Sequence, residues 1–137
     1  RNAIAWAEEA EKQGAGEILV TSVDKEGRGE GYDIDLVSQI SDRVSIPVIA
    51  CGGAGKQSHV RDVVRDGHAD AVSMASMLHY RLADQNREQE IAAIKQRDEG
   101  KLHILKTGTI LEFIKTTTIP DMKEYLRKNG VDVRGVE

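Results

Sequence analysis

The sequence predicts an α/β fold built on a parallel sheet, either a (β/α) barrel or a doubly wound sheet. Short apolar runs begin near positions 17, 47 and 70, and segments with apolar residues at helical spacing lie between them. The distance from one run to the next, about 23 to 30 residues, is the length of a βα unit whose right-handed crossover returns to a parallel neighbour.

Each element has a local signal. Ala3, Ile4, Ala7 and Ala10 mark a helix from Asn2 to Gly14, which Gly14 and Gly16 stop. Glu17 to Val23 is a nearly continuous apolar run, the pattern expected of a parallel strand buried on both faces. Asp24 to Tyr32 holds three glycines among charges and reads as a loop. Asp33 is placed to cap a second helix carrying Ile34, Val37, Ile40 and Val44. Pro47 to Ala50 is a short strand that opens on proline, and Gly52-Gly53-Ala54-Gly55 follows it. Val60, Val63, Val64 and Gly67 outline a third helix, and Asp70 to Met74 a further buried strand with Ala75-Ser76 as its exit.

From Leu82 to Thr118 the rhythm breaks. Helices are expected around Asp84–Asp98 and Ile110–Lys115, with a Gly100 stop and a short Leu102–Leu105 run between them, and the stretch reads as an insertion. Pro120 starts a final helix in the manner of proline at the first helical position; Met122, Tyr125 and Leu126 share one face and Asn129-Gly130 ends it. The expected organisation is βα units over 1–81, the insertion over 82–118, and a last helix with a tail over 119–137.

Composition narrows the function classes. Of 137 residues 39% are apolar, 31% charged and 4% aromatic, which excludes a disordered chain and a membrane-embedded one. Nineteen basic against twenty-three acidic side chains, scattered rather than clustered, leave −4 and no footprint for nucleic acid or an anionic membrane. No apolar run approaches the roughly 18 residues of a spanning helix. The single cysteine, Cys51, excludes an internal disulfide framework and fits a reducing compartment, so the cytoplasm is the expected location. His59, His68, His79 and His103 lack metal-ligand spacing, and neither a metal nor a cofactor is expected. The chain opens without an initiator Met and reads at once as helix, so it is expected to begin inside a longer protein.

Ligands of parallel α/β folds bind at the carboxyl ends of the strands, where loops and helix N-termini converge. Three such ends occur here: Asp24-Lys25-Glu26-Gly27, Cys51-Gly52-Gly53-Ala54-Gly55 and Ala75-Ser76. Glycines at 53 and 55 suit a turn whose successive N–H groups hold an anion, and equally suit a tight turn with no ligand. Ser76 adds a hydroxyl donor, and the small Ala75 leaves room above it. Asp24 and Glu26 are candidate substrate contacts, with plain solvation as the alternative. Glu17 sits at the opposite end of its strand, where a rim charge is the ordinary reading. Cys51 has no histidine near it in sequence and reads as a small packed residue rather than a nucleophile.

The run Gly14-Ala15-Gly16-Glu17-Ile18-Leu19-Val20-Thr21-Ser22-Val23-Asp24, with Gly31-Tyr32-Asp33, Ile46-Pro47-Val48-Ile49-Ala50 and Gly52-Gly53-Ala54-Gly55, resembles the cyclase subunit of imidazole glycerol phosphate synthase. The likeness runs from Arg1 to about Tyr80 and resumes over Ile119 to Arg134. It implies the C-terminal half of a (β/α)8 TIM-type barrel, strands six to eight, with an inserted, mostly helical segment before the last helix. It also implies a lyase and cyclase of histidine biosynthesis. In that family a glutaminase partner delivers ammonia to a phosphorylated ribonucleotide, giving imidazole glycerol phosphate and an aminoimidazole carboxamide ribonucleotide.

By motif position the resemblance makes Gly27, Cys51, Gly53, Ala75 and Ser76 ligands of one substrate phosphate, and Glu17 a residue of the ammonia gate. The two catalytic aspartates of the family belong to strands one and five, outside this chain, so no catalytic residue is expected within it and the isolated chain is expected to be inactive. Asp24-Lys25-Glu26-Gly27-Arg28 departs from the family's Asp-Arg-Asp-Gly-Thr. Two alternatives stand beside this reading: a paralogous amidation enzyme of surface-sugar biosynthesis, which that departure and the Ala50-Cys51 variant would fit, and a truncated, non-catalytic half-barrel that binds phosphate or oligomerises, with the insertion supplying the interface. A half-barrel exposes two strand edges and half an apolar interior, so self-association is expected.

Overall fold

The computed structural model describes residues 2–82 and 114–135. Helix α1 (Ala3–Lys12) is capped by Asn2, whose side-chain oxygen accepts the N–H groups of Ile4 and Ala5 at 2.9 and 3.2 Å. Strand β1 (Ile18–Thr21) leads through a glycine-rich loop to α2 (Ile34–Ser41), where the Asp33 carboxylate accepts the Leu36 N–H at 3.1 Å. Then follow β2 (Val48–Cys51), α3 (Gln57–Arg65) and β3 (Ala71–Ser73). Residues 76–82 are helical, and α4 (Ile119–Lys128) closes the described chain with Thr118 as its cap, proline in its first turn and Gly130 at positive φ just beyond it.

The three strands form one parallel sheet in the order β1-β2-β3. Ile18 stands opposite Val48, Val20 opposite Ala50, and Ala50 opposite Val72. This face lies under the helices: Val20, Val48 and Ala50 pack in one cluster with Val37 and Ile40 of α2, Val60 and Val63 of α3, and Met122 and Leu126 of α4. At about 1.5 to 3 kcal/mol for each fully buried large aliphatic side chain, this cluster is the main source of stability in the described residues.

The other face is open. Its rows are Leu19–Ile49–Ala71 and Thr21–Cys51–Ser73. Leu19 is 58% exposed, and Thr21, Ala71 and Ser73 are exposed as well. This corrects the expectations that β1 is buried on both faces and that β3 is a buried strand: helices cover one side and nothing among the described residues covers the other. The strands are also shorter than the apolar runs, since Val23, 87% exposed, lies past the end of β1.

The expected helix at Asp84–Asp98, the Gly100 stop and the Leu102–Leu105 run lie outside the described residues. Of the expected helix Ile110–Lys115 only Ile114 and Lys115 are described, and they are not helical. No helix of the described residues is long and apolar enough to cross a membrane.

Candidate functional site

All three strands point their carboxyl ends to one side, and the segments leaving them enclose a cavity of about 70 Å³. That is several times the volume one water needs. The loop after β1 contributes Glu26, Gly27 and Gly29; the turn after β2 contributes Cys51 through Ala54; Ser73 through Ser76 complete the wall.

Local bonding fixes each segment. The Ser22 carbonyl accepts the N–H groups of Lys25 and Glu26 at 3.2 and 2.9 Å, turning the first loop back over the sheet. The buried Ser22 hydroxyl donates to the Asp33 carboxylate at 3.0 Å, joining the start of that loop to the α2 cap. The first and second loops then clasp, with the Gly31 N–H donating to the Gly53 carbonyl at 2.8 Å. A Cβ on Gly53 would collide with the Gly31 carbonyl oxygen, and one on Gly55 with the Gly29 carbonyl oxygen. Gly53 also has φ +98°. Glycine at 53 and 55 therefore answers a main-chain contact between loops, whatever ligand the cavity takes.

The third segment starts a helix. The Ala75 carbonyl accepts the N–H groups of Leu78 and His79 at 3.1 and 2.8 Å, so Ala75 stands at the cap position and the amides of Ser76 and Met77 belong to the first turn, where no carbonyl of the helix itself can reach them. Together with the Ser76 hydroxyl this is a donor-rich wall, the chemistry that suits a phosphate or carboxylate.

Of the residues singled out in the sequence, the structure brings Gly27, Cys51, Gly53, Ala75 and Ser76 into this one cavity, with Glu26 beside them. The Glu26 carboxylate lies across Gly52, where a Cβ would stand 2.8 Å from Oε2. Asp24 is exposed and is not part of the wall. Glu17 is exposed at the far end of β1, in the groove between α1 and that strand.

Two supporting residues escaped the sequence reading. Tyr32 is buried, and its hydroxyl donates to the Ser73 carbonyl at 3.1 Å. Burial, with Cys51 nearby, pushes its ionisation far above the usual tyrosine range, so it remains a donor. His59 Nδ1 accepts the Gly55 N–H at 3.2 Å, and its ring packs about 3.6 Å from the position a Gly31 Cβ would take. Burial first, and then Lys56, hold the imidazole below its ordinary range, with Asp62 opposing them. An aromatic ring inside a glycine loop, and a histidine four residues after a glycine turn, were the only sequence signals for either.

A parallel βα-repeat protein with a small cavity at the carboxyl ends of its strands belongs to the broad class of α/β barrel and doubly wound proteins, whose ligands bind at those ends. A family model described as histidine biosynthesis protein matches residues 1–84, and the chain belongs to that family. It is 54% identical over 83 residues to an imidazole glycerol phosphate synthase subunit HisF from Methanococcus vannielii, covering 61% of this chain and 30% of that protein. Proteins of the same name from Desulfatibacillum aliphaticivorans and Geobacillus thermodenitrificans are 37% and 39% identical, over 97% and 96% of this chain and 38% of each relative. The chain thus spans less than two fifths of the length of these relatives.

Proposed function

We propose that the chain is the C-terminal portion of a cyclase subunit of imidazole glycerol phosphate synthase, and that its cavity grips one phosphate of a phosphorylated ribonucleotide. The observation that carries this reading is the meeting of Gly27, Gly53 and Ser76, from three separate βα units, around a single cavity in a chain of the histidine biosynthesis family. In this reading residues 1–81 are βα units six to eight of a (β/α)8 barrel, 82–118 an insertion and 119–137 the last helix with its tail.

The part this chain plays is binding and orientation. Main-chain donors at the Gly53 turn and at Ser76 hold the phosphate through charge-assisted hydrogen bonds, and Glu26 at the rim accepts from a sugar hydroxyl. General acid and base come from aspartates outside the chain, so the 137 residues alone do not turn over. Ammonia from a glutaminase partner enters past Glu17, at the amino-terminal end of β1, and meets the substrate at the opposite end of the sheet. The parent works in the cytoplasm.

The open rows Leu19–Ile49–Ala71 and Thr21–Cys51–Ser73, with the edges of β1 and β3 that are unpaired among the described residues, drive the isolated chain to associate with itself. The reaction is tested by giving the parent protein the phosphoribulosyl formimino carboxamide ribonucleotide and ammonia. Formation of imidazole glycerol phosphate upholds the reading, whereas inactivity there with ammonia transfer to a sugar substrate assigns the protein to the surface-sugar paralogues.

A further inference from the structure

The turns that carry Gly53 and Ser76 follow different strands, and an anion held between them requires that both stay in place to within about half an ångström. Residues 114–117, which fall beyond the stretch that the family model matches, run against both turns. The Lys115 N–H donates to the Gly55 carbonyl at 2.7 Å, and the Thr117 N–H donates to the Met77 carbonyl at 3.3 Å. A side-chain fastening accompanies them: Gln57 Nε2 donates to Thr117 Oγ1 at 2.9 Å, and that hydroxyl in turn faces the Thr118 carbonyl at 3.3 Å.

The segment is anchored at both ends. Ile114 and Thr117 are buried, at 8% and 5% exposure, while Lys115 is exposed. Thr118 caps α4 by accepting the Asp121 N–H at 3.2 Å, and Arg61 of α3 donates to the Tyr125 hydroxyl of α4 at 3.3 Å. Two main-chain bonds on alternate residues, one to each turn, make this short stretch a tie between the glycine turn and the Ala75-Ser76 turn.

We propose that residues 114–117 are a strap that positions the two halves of the anion cavity, with Thr117 as its positioning residue. The proposal rests on the phosphate reading above for its purpose, while the tie itself is open to a separate measurement. The strap touches no ligand. It lowers the ordering that the turns must undergo when an anion enters, and so acts on affinity more than on global stability.

The test uses the whole chain, glycerol phosphate as the probe, and the variants Thr117→Val, Thr117→Ser and Gln57→Met. Thr117→Val keeps the shape and removes the hydroxyl. It is expected to weaken glycerol phosphate binding about 3- to 10-fold, the scale of one lost hydrogen bond, and to speed amide exchange over residues 52–56 and 75–79 but not over α1 and α2. Thr117→Ser is expected to restore both, and Gln57→Met to repeat the loss should Thr117→Val fail to fold. Wild-type affinity and exchange in Thr117→Val and Gln57→Met would overturn the strap. A wild-type chain that binds no glycerol phosphate sinks the phosphate reading instead; exchange then decides the strap alone, faster exchange at the two turns upholding it and unchanged exchange rejecting it.

Discussion

The Tyr32 hydroxyl donates to the Ser73 carbonyl 41 residues away, so a side chain from the loop after β1 reaches the end of β3 and ties the first and third walls of the cavity together. Tyr32→Phe keeps the buried ring and removes only this bond. The expected cost is about 0.5 to 1.5 kcal/mol in urea unfolding, since the ring packing survives and one part-buried hydrogen bond is lost. Glycerol phosphate binding should weaken in the same variant, and unchanged stability would show that the hydroxyl ties nothing.

Gly53→Val is expected to abolish anion binding. Its Cβ meets the Gly31 carbonyl oxygen and its φ of +98° disfavours any L side chain. Gly27→Ala supplies the contrast, because φ is +74° there but nothing lies within 4 Å of the added carbon, so only about 1 to 2 kcal/mol of backbone strain is expected. Calorimetric titration with glycerol phosphate reads the first effect, and thermal unfolding the second. Retained affinity in Gly53→Val would remove the cavity from the account.

Acid should loosen the glycine turn through His59. The folded protein holds this imidazole below its ordinary range, so on acidification the unfolded chain takes up the proton first. Its contribution is therefore constant above about pH 6.5 and is lost as pH falls from there through the depressed folded value. Lys56 and Asp62 face the ring and pull in opposite directions, with burial as the larger cause. His59→Gln, which offers the turn an acceptor that does not titrate in this range, is expected to flatten the slope of stability against pH below 6.5. Parallel slopes for the variant and the wild type would exclude His59 as the sensor.

Light scattering of the isolated chain at micromolar concentration is expected to show a dimer or larger species. Leu19→Lys puts a charge on the open sheet face and should shift the distribution toward monomer. A folded monomer of the unmodified chain would refute self-association.

Local signals located most elements well. Asp33 caps the helix it was expected to cap, and the last helix begins at Ile119-Pro120 because capping and proline geometry involve residues only two or three apart. The two-sided burial expected of β1 and the burial expected of β3 failed for a physical reason: apolar residues such as Leu19 and Ala71 record that a face can be covered, not whether something covers it. The cavity was legible as three strand-end loops, since parallel βα units put those ends on one side. Tyr32, His59 and Thr117 were not, because their partners Ser73, Gly55 and Met77 become neighbours only once the sheet and helices have assembled.

The amino-acid sequence alone determined the βα order, the Asp33 cap and the loops that hold Gly27, Gly53 and Ser76, for these follow from hydrophobic period and turn chemistry within a few residues. Tertiary structure decided which of those loops touch, that Gly53 is glycine because the Gly31 carbonyl lies against it, and that residues 114–117 lash two turns together. Main-chain contacts of that kind depend on distances between segments far apart in the chain, and no local pattern encodes a distance.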